Sequence, residues 1–209
     1  MTDPLGRVTT WEYQQPGDRV SRTVDATGAV TTSTYDTRGN LTSTVDPELG
    51  KTTQTTPNPN GTVTSVTDPR GNVAGATAAT FTTRFGYNGA GNRTSATGPD
   101  GAKTAVTYNT LQGPSKLVDP RGNVAGATAA TIAAYSTTFG YDAAGRQTTV
   151  TEPTGGGVTT TSYDPVGNPA TVTDGLNQLT KYTYDMLTGH LPVGVRRGSR
   201  SAGRAASAA

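Results

Sequence analysis

Val, Leu, Ile and Phe supply only 30 of the 209 residues, below the ~20% at which disorder becomes a reading to weigh, yet the net charge of +2 falls short of what such disorder requires. Arg196, Arg197, Arg200 and Arg204 lie near the end without an acid beside them. Residues 1–195 therefore carry 13 basic and 15 acidic side chains, a net of −2, and lack the basic face expected of a nucleic-acid binder. The absence of cysteine excludes disulfides, thiolate catalysis and cysteine zinc sites.

The start, MTDPLGRVTTWEYQQPGDRV, shows no basic stretch followed by an apolar run, so no secretory signal is expected there. No segment approaches the roughly eighteen apolar residues of a membrane helix. From Tyr13 onward the tyrosines keep a period. Tyr13, Tyr35, Tyr87, Tyr108, Tyr141, Tyr163 and Tyr184 head related segments, and PNPNGTV stands where one more is due, with Pro57 in place of tyrosine. The spacings are 22, 22, 30, 21, 33, 22 and 21 residues. The unit is therefore 21 to 22 residues long, with longer copies at 57–86 and 108–140, and units fill residues 1–191.

Each unit carries two turn signals. Behind the tyrosine stands Asp or Asn with Gly three residues on: Asp36 and Gly39, Asn88 and Gly91, Asp142 and Gly145, Asp164 and Gly167. Gly17 and Gly61 hold the same place behind Tyr13 and Pro57, and Asp185 follows Tyr184. Asp or Asn accepts a hydrogen bond from the backbone ahead of it, and Gly supplies the positive φ that closes a hairpin with a bulge. The second signal is DPRG at 68 and 119, EPTG at 152 and DATG at 25, the composition of a type I turn. Between the turns lie runs such as NLTSTV, GTVTSVT and VTTTSY, whose β-branched residues favour a pleated surface. They alternate, with Leu41, Ser43 and Val45 on one face and Thr42 and Thr44 on the other. Each unit thus reads as a hairpin and the chain as a running antiparallel sheet. One unit cannot stand alone: burying a tyrosine gives about 5 kcal/mol, whereas ordering its residues costs on the order of 30 kcal/mol. Stacked neighbours must supply the rest.

The two long units share thirteen residues letter for letter, DPRGNVAGATAAT at Asp68–Thr80 and Asp119–Thr131. These small residues without periodicity are expected to lengthen a hairpin loop beyond the sheet, with a short helical turn as the alternative. His190 is the only histidine, so no metal site or Ser/His pair is expected on it. The glycines of PTGGGV at 153–158 lack the strand-to-helix pattern and the Lys-Ser/Thr of a phosphate loop and read as a hairpin tip. No catalytic, cofactor-binding or metal residue is assigned, and the recurring aspartates read as turn formers. After Leu191 the composition changes to PVGVRRGSRSAGRAASAA, and 192–209 reads as a disordered tail.

The signature Tyr-Asp-x-x-Gly-Arg/Asn-x-Thr, with an Asp-Pro-x-Gly turn about ten residues later, resembles the YD repeat of the Rhs (rearrangement hotspot) family, related to wall-associated proteins of Gram-positive bacteria and to animal teneurins. The resemblance implies an all-β fold of antiparallel hairpin repeats, in a curved or spiralling sheet that forms part of a hollow β-shell. In that family the shell can enclose a C-terminal toxin until delivery to a competing cell. The implied partners are the remaining repeats and the effector or toxin domain of a larger Rhs-type protein, secreted or at the cell surface, with no enzymatic activity and no cofactor. One departure stands out: YDMLTGHLP at 184 lacks the Arg-Tyr and the Asp-Pro of the core motif that follows the repeats in the family. A second reading stays open. Aromatic side chains on an exposed sheet face stack on sugars, so the alternative is an extracellular module holding cell-surface carbohydrate through the repeat tyrosines.

Overall fold

The computed structural model of the chain describes residues 1–15, 17–45, 52–184 and, as backbone, Pro192–Gly198. It divides into two compact units, Met1–Thr104 and Ala105–Ala209. The first holds β1 (Thr10–Gln14), β2 (Arg19–Val24), β3 (Val30–Tyr35), β4 (Leu41–Val45), β5 (Thr52–Pro57), β6 (Val63–Thr67), β7 (Thr82–Tyr87) and β8 (Arg93–Thr97). Strand β9 (Lys103–Tyr108) starts at the boundary, and the second unit continues with β10 (Pro114–Val118), β11 (Ser136–Tyr141), β12 (Gln147–Thr151), β13 (Val158–Tyr163), β14 (Pro169–Thr173), β15 (Leu179–Tyr184) and β16 (Pro192–Gly198). Within each unit every strand pairs antiparallel with the next in sequence, so all connections are hairpins.

The loop behind each tyrosine shows why Asp and Gly recur three residues apart. Asp36 N–H donates to the Asn40 carbonyl at 2.9 Å and Gly39 N–H to the Asp36 carbonyl at 3.0 Å. The Asp36 carboxylate accepts the N–H groups of Arg38 and Asn40 at 2.9 and 2.8 Å. Gly39 closes the loop at φ 87°, a conformation that costs a side-chain-bearing residue. The ladder slips by one residue at this point, leaving Tyr35 opposite Leu41, Tyr87 opposite Arg93, Tyr141 opposite Gln147 and Tyr163 opposite Pro169. The second signal closes in the same way in the short units, with Gly28 N–H on the Asp25 carbonyl and Asn177, at φ 61°, standing in for glycine. Asparagine tolerates that region better than most residues.

Alternation sorts the strands into two faces. In the second unit Val106 lies opposite Leu117, Phe139 opposite Val150 and Thr161 opposite Val172, so a row of apolar residues runs along one face. The other carries hydroxyls that bond across the ladder, as between Ser162 and Thr171 at 2.6 Å. Along β13 this face, Val158, Thr160 and Ser162, is exposed, while Thr159, Thr161 and Tyr163 are half-buried.

The buried residues among those described are Gly71, Thr82, Val118, Gly122 and Ser136, all from the two long units. Here the structure takes the alternative of a short helical turn over the plain loop: the duplicated stretch folds back as helical turns. Asp68 and Asp119 cap the 3₁₀ turns Pro69–Asn72 and Pro120–Gly122 by accepting the N–H of Arg70 and Arg121. Thereafter the identical letters diverge. The first copy makes a second 3₁₀ turn, Ala78–Phe81, and the second makes the α-helix α1, Ala129–Ala134. Only Phe81 separates the first copy from β7, whereas Ile132–Tyr135 separate the second from β11. Those extra residues let Ile132 N–H reach the Thr128 carbonyl at 2.9 Å, an i to i+4 bond that the shorter loop has no room to form. Both inserts close alike, Asp68 N–H on the Phe81 carbonyl and Asp119 N–H on the Tyr135 carbonyl, each at 2.9 Å.

The backbone of Pro192–Gly198 pairs with β15 where the sequence reading placed the start of a disordered tail. The rest of that tail, His190 and Asp185 lie outside the described residues. No helix among the described residues is long and apolar enough to cross a membrane.

Candidate functional site

The repeat tyrosines end their strands at the register slip, and there the phenol reaches across to the preceding hairpin. Tyr35 donates its hydroxyl to the Val20 carbonyl at 2.9 Å, Tyr87 to Val63 at 2.8 Å and Tyr141 to Pro114 at 2.8 Å. Tyr163 donates to Gln147 at 2.7 Å and Tyr184 to Pro169 at 2.8 Å. The acceptors obey one rule. Val20 stands opposite Tyr13, Val63 opposite Pro57, Pro114 opposite Tyr108, Gln147 opposite Tyr141 and Pro169 opposite Tyr163. Each tyrosine therefore bonds to the residue that faces the same position one unit earlier. A bond of this kind contributes roughly 0.5–1.5 kcal/mol net, and it ties hairpin to hairpin outside the sheet ladder. Tyr13, in the first such unit, is 53% exposed. Tyr108 is half-buried at the end of β9.

Loop carboxylates and arginines buttress the row. Arg146 follows Gly145, pairs with Asp142 at 2.7 Å and lies over the ring of the next unit's Tyr163 at 4.6 Å from its centre, a cation–π contact. Gly17, Gly61, Gly91, Gly145 and Gly167 share the positive φ of Gly39, between 79° and 112°. The N–H groups converging on the turn aspartates favour their ionised form. The Asn40 side-chain amide, then its backbone N–H, holds Asp36 below the usual carboxylate value. The Arg146 backbone N–H leads the same effect at Asp142. At Asp164 burial pushes the carboxyl up, and the N–H groups of Asn168, Gly167 and Val166 together more than offset it.

The inserts add two features that the repeat pattern did not announce. Arg70 pairs with Asp68 at 2.8 Å and lies over Phe81 at 5.3 Å; Arg121 pairs with Asp119 at 2.8 Å and lies over Tyr135 at 4.7 Å. Arginine two residues after the capping Asp, with an aromatic residue just ahead of the next strand, is the signal that would have found them. Beside the first insert runs an open groove of about 450 Å³ bordered by Thr53, Val66, Arg70, Phe81 and Pro99. One of about 410 Å³ in the second unit is bordered by Lys116, Ser136, Thr138, Thr151 and Glu152. Among the described residues no three His, Cys, Asp or Glu side chains gather to hold a metal ion. Five of the seven repeat-tyrosine hydroxyls, those of Tyr35, Tyr87, Tyr141, Tyr163 and Tyr184, are directed at backbone carbonyls, and this arrangement propagates a sheet.

Hairpins joined in sequence order and stitched by a recurring tyrosine define a β-repeat protein. The RHS Repeat pattern matches residues 16–48, 35–73 and 58–104, and the same tyrosine-to-carbonyl rule continues through Tyr184. Residues 16–104 thus carry repeats of the Rhs family. No curated protein matches the sequence. Among solved structures the fold is similar to that of TcdB2-TccC3, with a TM-score of 0.69 at 18% identity over 90% of this chain and 10% of that chain. It is similar also to TcdB2-TccC3-Cdc42, at 0.66, 18%, 90% and 10%, and to TcdB2-TccC3-TEV, at 0.64, 18%, 91% and 10%. The chain spans about a tenth of the length of these solved chains.

Proposed function

We propose that the chain is a wall segment of an Rhs-type β-shell that encloses a C-terminal toxin or effector for competition between cells. Its work is mechanical and non-enzymatic, and it is done outside the cell that makes it. The observation that carries this reading is the tyrosine-to-carbonyl rule. Each bond links one hairpin to the previous one and leaves the next acceptor in place, so the sheet extends for as long as units are added. The likeness to the TcdB2-TccC3 fold supports the same reading, and its partners are then the other repeats and the effector domain of the larger protein.

The sugar-binding alternative needs tyrosines whose rings are presented on an open face, not packed against the preceding hairpin. Five of them donate to carbonyls, which favours packing. The test is limited proteolysis of the larger protein that carries this segment. With intact repeats the C-terminal effector is expected to survive, and replacing Tyr141 and Tyr163 together by Ala is expected to expose it. An effector cut equally fast in both, with the repeats still folded by circular dichroism, would overturn the shell. A glycan-array signal lost in tyrosine variants of unchanged stability would instead support carbohydrate.

A further inference from the structure

Only two asparagines of the chain, Asn60 and Asn88, precede a glycine. The backbone nitrogen that follows an asparagine attacks its side-chain amide readily only where no Cβ obstructs the approach. Asn88 opens the loop behind Tyr87, and its Oδ1 accepts the N–H groups of Ala90 at 3.1 Å and Asn92 at 2.9 Å. Attack at Cγ would turn this oxygen into an oxyanion between two aimed donors, the arrangement that stabilises such charge in an oxyanion hole. The Gly89 N–H meets no acceptor among the described residues, and nothing lies within 4 Å of where its Cβ would stand. Asn60 differs on the nucleophile's side. Its Oδ1 is held by the N–H and hydroxyl of Thr62 at 3.2 and 2.8 Å, but the Gly61 N–H is tied to the Asn58 carbonyl at 2.9 Å.

We propose that Asn88 is a self-modifying site. The Gly89 nitrogen loses its proton to solvent base and attacks Cγ of Asn88. A C–N bond forms, the C–N bond to the side-chain amide breaks, and the amide leaves as ammonia after taking up a proton. Water then opens the cyclic imide to aspartate or isoaspartate. The aspartate product suits the fold, because Asp36, Asp142 and Asp164 hold the equivalent place and accept the same two backbone N–H groups at 2.8 to 3.0 Å. The reaction would bring an Asn unit to the Asp form of its neighbours and lower the net charge by one.

The test follows both Asn-Gly peptides by mass spectrometry while the full chain, folded and in urea, is held at mildly alkaline pH. In urea the two pairs are expected to react at comparable rates. In the folded chain Asn88 is expected to outpace Asn60 several-fold. Equal rates in the folded chain, Asn60 ahead, or no reaction at Asn88 while the urea sample converts would each overturn the proposal. Asn88→Asp is expected to keep the parent's melting temperature, and a clear fall would remove the claim that the product fits.

Discussion

The hydroxyl of Tyr163 donates at 2.7 Å to the carbonyl of Gln147, the residue opposite Tyr141 in the ladder. Tyr163→Phe removes this donor alone and is expected to lower stability by about 1 kcal/mol, roughly 2–4 °C in melting temperature. Tyr163→Ala also removes the ring under Arg146 and is expected to cost about 3 kcal/mol. Tyr13→Phe is the control: that side chain is half exposed, and the change is expected to stay within about 0.5 kcal/mol. Thermal melts of the three variants separate the stitch from the general effect of losing a phenol.

Pro57 interrupts the row, and the rule names the acceptor a tyrosine there would use: the carbonyl of Leu41, opposite Tyr35. Pro57→Tyr is expected to raise stability by about 1 kcal/mol through a new hydrogen bond. A companion Pro57→Phe should recover less. If both variants melt at the parent temperature, the stitch is not additive along the row.

The strands and turns were legible because each rests on letters at fixed offsets: tyrosine, then Asp or Asn, then Gly, with β-branched runs between. The stitch was not legible, since its acceptor is a backbone carbonyl and carries no letter. Its position depends on the register slip that leaves Tyr141 opposite Gln147, a relation between hairpins. The choice between loop and helical turn in the insert stayed open for a related reason. Thr128–Thr131 and Thr77–Thr80 are spelled alike, but only the former starts an α-helix, because the distance to the next strand decides whether an i to i+4 bond closes. Local propensity cannot register that length. Four of the five buried residues also went unrecognised: Gly71, Thr82, Gly122 and Ser136 are small and none is strongly apolar, unlike Val118, so composition gave no hint that they lie beside the helical turns.

Acid should weaken the turns. The carboxyls of Asp36, Asp142 and Asp164 lie below their ordinary value in the folded chain, so the unfolded chain binds protons first as pH falls. Their contribution is full above the unfolded value of about 4 and is lost as pH drops through the lower folded values. Melting temperature is expected to stay level from neutral pH down to about pH 5 and to decline below about pH 4. The triple variant Asp36→Asn, Asp142→Asn and Asp164→Asn keeps a residue that units such as the one at Asn88 already use, and it should flatten the acid limb. An unchanged acid limb in the variant would place the titration elsewhere.

Gly71 and Gly122 are required by space, in contrast to the loop glycines, which are required by backbone conformation. A Cβ on Gly71 would stand 2.8 Å from Cγ2 of Thr67 and 2.9 Å from Cβ of Phe81. On Gly122 it would stand 2.8 Å from Cγ1 of Val118 and 3.2 Å from Cβ of Tyr135. Atoms so near their own backbones cannot swing away, so Gly71→Ala and Gly122→Ala are expected to cost about 1–3 kcal/mol each by overpacking. Gly75 and Gly126 have nothing within 4 Å of that position but hold φ values of 80° and 75°. Alanine there is expected to cost about 1 kcal/mol, through the left-handed backbone alone. Asparagine, which tolerates that region, discriminates the two mechanisms: it should recover stability at Gly75 and Gly126 relative to alanine and do worse than alanine at Gly71 and Gly122. Denaturant melts of the eight variants read the difference directly, and a uniform response at all four glycines would reject the distinction.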